Sequence, residues 1–333
     1  MGANPLPPLD KGFFGRLQSS RPDEFRPISN YMQRRYRIDV TDTREDGLEA
    51  VMSVIYTDVL NTRLASQAAA AFRALIRAVN AELSSSTNRM PASTDSDVYR
   101  ILTKELAHGV PLDDIAIVTF NYDLQIEKSL EALETNGDTT TDGVALNFPY
   151  CYGLPEPKMT SPNRSTDLFR VGTESLRGVP LLKLHGSLNW YSTHNSRNPS
   201  VDALLRTSRA IRITRRREPN IGMTLNGTRK TYAFPVVIPP VLNKSAILPT
   251  GFGQVWTSAE NHLEKSEKVI VFGYSCPPFD FEAANLIART LRASSSLQSI
   301  SVIDPNPDTV TRYANLCRAR RIMYFDSSES YLS

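Results

Sequence analysis

Apolar and polar positions along this chain keep a helical rhythm at first and a mixed one later. Phe13-Phe14 with Leu17 opens a short helix, and spacing near 3.6 predicts further helices over 46–64, 68–83 and 97–107. The run 68–83 is rich in alanine, with Phe72, Leu75, Ile76 and Val79 on one face. Ser84 to Asp95 is polar and predicts a loop. Segment 20–110 is therefore expected to be a mainly helical cap.

Beyond it, short apolar runs alternate with amphipathic ones. Strands are predicted over 115–119, 181–184, 268–272, 300–303 and 321–325, and an extended segment over 232–238, stopped by Pro239-Pro240. Helices are predicted over 123–133, 253–265, 280–291 and 307–317. The stretches 135–180, rich in Gly, Pro, Thr and Ser, and 191–230 read as insertions. Buried strands alternating with helices imply an α/β fold: a Rossmann-like, mostly parallel sheet flanked by helices, with helical and irregular insertions, as one domain over 1–333. Right-handed crossovers then bring the strand exits to one edge, where such sheets bind ligands.

Composition narrows the class. Of 333 residues, 41% are hydrophobic and 22% charged, ordinary for a soluble globular protein. No apolar run is long enough to span a membrane and no secretory signal is visible, so a cytoplasmic protein without membrane contact is expected. Three scattered cysteines, Cys151, Cys276 and Cys317, supply neither a disulfide framework nor a four-cysteine zinc site, and no metal is expected. The net charge of +3 says little, but Arg206 to Lys230 gathers eight cationic side chains against Glu218 alone. That cluster suits a dinucleotide pyrophosphate, a nucleic-acid backbone or an acidic partner; a solvated loop is the other reading.

Candidate chemistry sits at the strand exits. Leu181-Leu182-Lys183-Leu184 ends in His185-Gly186-Ser187, which places one of only four histidines at a strand's carboxyl end. Thr119-Phe120-Asn121-Tyr122-Asp123 follows another strand, Gly273-Tyr274-Ser275 a third, and Asp304-Pro305-Asn306 a fourth. Histidine exchanges protons near neutral pH, and an amide donates and accepts beside a sugar or an attacking water. Gly273 admits backbone amides close to a phosphate, Ser275 adds a hydroxyl, and a carboxylate such as Asp304 suits ribose diols. Each has a plainer reading: Asp123 as a helix cap, His185 as a buried hydrogen-bond partner, Gly273 as a turn and Asp304 as a helix start.

Taken in order, Thr119 to Asp123, Leu182 to Ser187 with Trp190, and Phe272 to Asp280 resemble the motifs of SIR2-like (sirtuin-related) proteins, the bacterial domains often met in antiphage defence. Pro239-Pro240, Lys244 and Trp256 are similar to the segment that leads into the family's last glycine-bearing strand. The resemblance covers roughly 1–326. It implies NAD as a substrate, with Asn121 orienting the nicotinamide ribose and water, Asp123 supporting that site and His185 catalytic. It further implies nucleotide contacts from Gly273 and Ser275, ribose contact from Asp304, and companion contacts from Thr119, Gly186 and Ser187. The family's zinc module is absent, and so is its first strand with a Gly-Ala-Gly-x-Ser loop. Truncation at the start of the chain is the expectation, with Gly2-Ala3 as the remnant of that loop.

The activity implied is NAD glycohydrolysis to nicotinamide and ADP-ribose, in antiphage defence. Protein deacylation or ADP-ribosyl transfer is the alternative enzyme reading, and an impaired nucleotide-binding or scaffold module the non-enzyme one. A homo-oligomer or a defence-system partner protein is expected to license the activity, with Arg206–Lys230 as the contact for an acidic partner or nucleic acid.

Overall fold

The opening helical rhythm folds into α1 (Phe13–Ser20), α2 (Pro22–Tyr36), α3 (Gly47–Leu60) and α4 (Ala65–Thr87). The structure, a computed structural model, describes residues 12–42, 47–61, 63–87, 93–136, 145–146, 150–154, 178–194, 212–213, 223–225, 229–237, 252–277 and 280–333. The four helices share an apolar cluster that includes Leu17, Ile28, Ile55, Phe72 and Leu75. α2 has no counterpart among the helices predicted one by one, because Pro27 interrupts the pattern. Its start is nonetheless well marked, with Pro22 in the first turn beside Asp23 and Glu24. Phe25, Ile28 and Met32 give it a buried face. α4 runs on through Ser84-Ser85-Ser86-Thr87, where a loop was expected. Once a helix is nucleated, adding a turn costs little, even with weak helix formers.

The alternating part starts with α5 (Asp97–Ala107), β1 (Ile117–Thr119), α6 (Gln125–Thr135) and β2 (Leu181–Lys183). β3 (Gly186–His194), β4 (Arg212–Ile213), β5 (Met223–Leu225) and β6 (Arg229–Val237) follow. The last third comprises α7 (Phe252–Lys265), β7 (Lys268–Phe272), α8 (Phe281–Ala293), β8 (Ser299–Ile303), α9 (Asp308–Leu316), β9 (Arg321–Phe325) and α10 (Ser328–Leu332).

Among the described residues the strands form three sheets. β1 and β2 pair in parallel, as do β7, β8 and β9 in that order. β3 to β6 form an antiparallel sheet ordered β4-β3-β6-β5. This corrects two expectations. The stretch after His185 is not a loop exit: Gly186 and Ser187 pair with Val237 and Val236 in β6. Nor is 191–230 merely an irregular polar insertion, since much of that antiparallel sheet lies within it. The chain is thus a mixed α/β protein whose small parallel sheets are flanked by helices. Among the described residues, no helix is long and apolar enough to cross a membrane.

Two apolar clusters cover the parallel sheets. One joins β1, β2, α6 and α7 through Leu130, Leu182, Trp190 and Val255. The other joins β7 to β9 with α8 and α9 through Val271, Leu291, Ile300 and Tyr313. Phe120 and Leu263 pack against both clusters.

Candidate functional site

Phe120, the first residue after β1, stacks on Tyr274, two residues after β7, with ring centroids 4.2 Å apart. The carboxyl ends of β1 and β7 therefore lie side by side. Between them opens a cleft of about 430 Å³, lined at this end by Thr119, Phe120, Asn121, Gly273 and Tyr274. Asp113, Asp114, Lys265 and Lys268 also line it.

The loop after β1 is held by its neighbours' backbone. Leu184 donates its N–H to the Thr119 carbonyl and Leu188 donates to the Tyr122 carbonyl, both at 2.9 Å. Within the loop, the Asn121 N–H donates to Thr119 Oγ1 at 3.1 Å, leaving the Asn121 side chain exposed to the cleft. Asp123 accepts the Gln125 N–H at 2.9 Å through Oδ1, a turn that leads into α6, whose N-cap position is Leu124 and not the Asp123 expected from sequence. Ser187 is buried, and its hydroxyl points to the Tyr122 carbonyl at 3.5 Å.

His185 stands behind Phe120 instead of on the cleft wall. It is 4% exposed, with its ring 5.1 Å from that of Phe120 and 5.9 Å from that of Tyr122. Its Nε2 lies 3.5 Å from Oδ2 of the buried Asp280, and the Tyr274 hydroxyl donates to the same oxygen at 2.9 Å. Burial and the neighbouring carboxylate push the Tyr274 phenol far above its ordinary range, so it stays a proton donor. An imidazole held between two aromatic rings and a carboxylate has a fixed orientation, the arrangement that general-base histidines use.

The loop after β7 bends through two left-handed residues, Gly273 at φ +63° and Cys276 at φ +51°. No atom lies within 4 Å of where a Cβ on Gly273 would sit, so glycine serves the backbone conformation here, not a tight contact. Cys276 is buried, and burial with Asp280 nearby pushes its thiol up to about 11. Arg312 donates to the Ser275 carbonyl at 3.0 Å and Tyr313 to the Tyr274 carbonyl at 3.2 Å, tying this loop to α9. Asp304, at the end of β8, is buried and accepts the Asn306 N–H at 2.8 Å, so it also shapes the turn into α9.

Beneath the site lies a charged group that sequence reasoning passed over. Lys183, 1% exposed, donates to Glu127 Oε1 at 2.9 Å and to the Asp123 backbone carbonyl. Tyr152 donates to the same Glu127 oxygen at 2.9 Å, and Asn189 donates to the Tyr152 hydroxyl at 3.0 Å. A lysine inside Leu181-Leu182-Lys183-Leu184 was itself the signal, since a charge in a buried strand needs a partner. Asp280, read from sequence only as the end of the Phe272–Asp280 motif and the start of a helix, was given no role there and is the other omission.

Of the residues picked from sequence, the fold gathers Thr119, Asn121 and Gly273 on one cleft, with His185 one ring behind it. Asp123, Gly186, Ser187 and Asp304 support the loops around it. Gly2 and Ala3 lie outside the described residues, as do Arg206, Arg209 and Arg215 to Arg217 of the basic cluster. Among the described residues no group of three or more His, Cys, Asp or Glu is arranged to hold a metal ion. The chain matches no model of a known protein family, and no curated protein matches it in sequence.

Proposed function

We propose that the chain is an NAD-consuming hydrolase of SIR2-like type, built on a Rossmann-like sheet, and that it releases nicotinamide from ADP-ribose. The observation that carries this reading is the convergence of Asn121 and Gly273 on one cleft at the carboxyl ends of parallel strands, with the Asp280-held His185 against Phe120. Nucleotides bind at that edge of open α/β sheets. As the bond from the ribose C1′ to nicotinamide breaks, its electron pair leaves with the neutral nicotinamide, and positive charge grows on the ribose ring. Water then adds at C1′ and gives up one proton. Asn121 positions that water and the ribose hydroxyls, and His185 accepts the proton or polarises a ribose hydroxyl. In that role His185 needs Phe120 to swing aside, since it is buried behind that ring.

The burial of His185 favours a second reading, a nucleotide-binding module without turnover. Titration with NAD and ADP-ribose, followed by product analysis without any peptide, separates the two. Nicotinamide and ADP-ribose in equal amounts support the hydrolase; saturable binding with no product supports the module. Product that appears only with an acylated peptide would replace both with deacylation.

A further inference from the structure

His185 is buried while Asn121 on the cleft is exposed, so the two are not yet open to one substrate. What covers the imidazole is a pair of rings from two different sheets. Phe120, after β1, lies over it with centroids 5.1 Å apart and planes at 60°. Phe120 in turn stacks on Tyr274, after β7, at 4.2 Å and 24°. We propose that Tyr274 is the positioning residue of this site: its ring holds Phe120 as a gate over His185, and its hydroxyl holds Asp280 beside the imidazole.

Tyr274 is the fixed half of the stack. The Gly273 N–H donates to the Ile303 carbonyl at 3.1 Å, and the Tyr313 hydroxyl donates to the Tyr274 carbonyl at 3.2 Å. Arg312 holds the next carbonyl, that of Ser275, at 3.0 Å. The ring therefore leaves a backbone anchored to β8 and α9. Its hydroxyl donates at 2.9 Å to Asp280 Oδ2, the oxygen that lies 3.5 Å from His185 Nε2. Turning that carboxylate away from the imidazole would break the bond from the phenol, so one side chain fixes both the cover and the carboxylate. Phe120 is the half with room to move. It is half-buried and borders the cleft of about 430 Å³, and no atom lies within 4 Å of where a Cβ on Gly273 would sit. Rotation about the first side-chain torsion carries its ring off the imidazole into that space. Such rotations are fast in partly exposed side chains, so the stack on Tyr274 sets how often the gate is open. A site open for only a fraction of the time binds its ligand more weakly by that fraction.

Two measurements test this. The first uses no substrate and follows the rate at which diethylpyrocarbonate modifies His185. Peptide mass spectrometry separates it from the exposed His108, which serves as the reference. In Phe120→Ala and in Tyr274→Leu, His185 should react at least about tenfold faster with His108 unchanged, while Tyr274→Phe, which keeps the ring, should stay within about threefold of the unaltered protein. If Phe120→Ala does not fold, Phe120→Val replaces it. Unchanged labelling in the opened variants, or equal acceleration in Tyr274→Phe and Tyr274→Leu, would overturn the gate. The second rests on the hydrolase reading and follows nicotinamide release. Phe120→Ala should lower KM for NAD at least about threefold, whereas Tyr274→Phe should lower kcat at least about tenfold at nearly unchanged KM. A higher KM in Phe120→Ala, or an unchanged kcat in Tyr274→Phe, would overturn these roles. The two measurements fail separately. Absence of nicotinamide would remove the hydrolase and leave the labelling result standing; unchanged labelling with normal release would remove the gate and leave the hydrolase.

Discussion

Lys183 gives the sharpest structural prediction, because its ammonium is almost wholly shut away from water and its partners are fixed. Lys183→Met keeps most of the aliphatic stem and removes the charge. Glu127, with its side chain 7% exposed, then keeps only the Tyr152 hydroxyl among the contacts described above, and the Asp123 carbonyl loses its donor. Breaking one side of a buried pair costs about 3–5 kcal/mol. Set against a total stability of about 5–15 kcal/mol, that is a large share. Glu127→Gln alone should cost a comparable amount, since it strands the ammonium instead. The double variant removes both charges, and it should fall short of the summed losses by at least about 2 kcal/mol. The assay is urea unfolding, followed by fluorescence and circular dichroism and read where the two transitions coincide. A loss under about 1 kcal/mol for Lys183→Met, or strict additivity in the double variant, would refute the argument that Lys183 and Glu127 form a coupled buried pair.

Asp280→Asn should leave the fold intact but lower nicotinamide release with little change in KM, because it removes the charge beside His185; a fall in binding with turnover unchanged would count against that role. Gly273→Ala should cost about 1–2 kcal/mol from the left-handed backbone alone, measured by thermal unfolding, since the added methyl meets no neighbour. Burial alone would raise the Glu105 carboxyl, but hydrogen bonds from Lys268 and Tyr331 outweigh it and hold the group below its ordinary 4.5. A depressed carboxyl stabilises fully above its unfolded value, and the contribution is lost as pH falls through the lower folded value. Proteolysis near α10 should therefore accelerate below about pH 4, and Glu105→Gln should flatten that acid dependence. An identical acid profile in the variant would show that Glu105 does not anchor α10.

Much of this architecture was legible in the chain because its signals are local. The runs around Ile117, Leu182, Val271 and Val302 are short, apolar and bounded by turn residues, so each strand declared itself. Strand ends carry the candidate residues for the same reason. What could not be read depended on distant partners. Gly186 and Ser187 look like a loop exit until β6, some fifty residues on, pairs with them. His185 could be placed at a strand end, but its burial behind Phe120 and its pairing with Asp280 are products of packing across two sheets.

The central claim is that the strand ends around Asn121 and His185 break the nicotinamide–ribose bond. The most direct test is nicotinamide release from NAD by the protein as isolated from its own cells, beside His185→Ala and Asn121→Ala forms with the same N-terminus. The account predicts release from the unaltered protein and a loss of at least about 100-fold in each folded variant, both of which still bind ADP-ribose. Normal release from both variants, or none from the unaltered protein saturated with NAD, would contradict it.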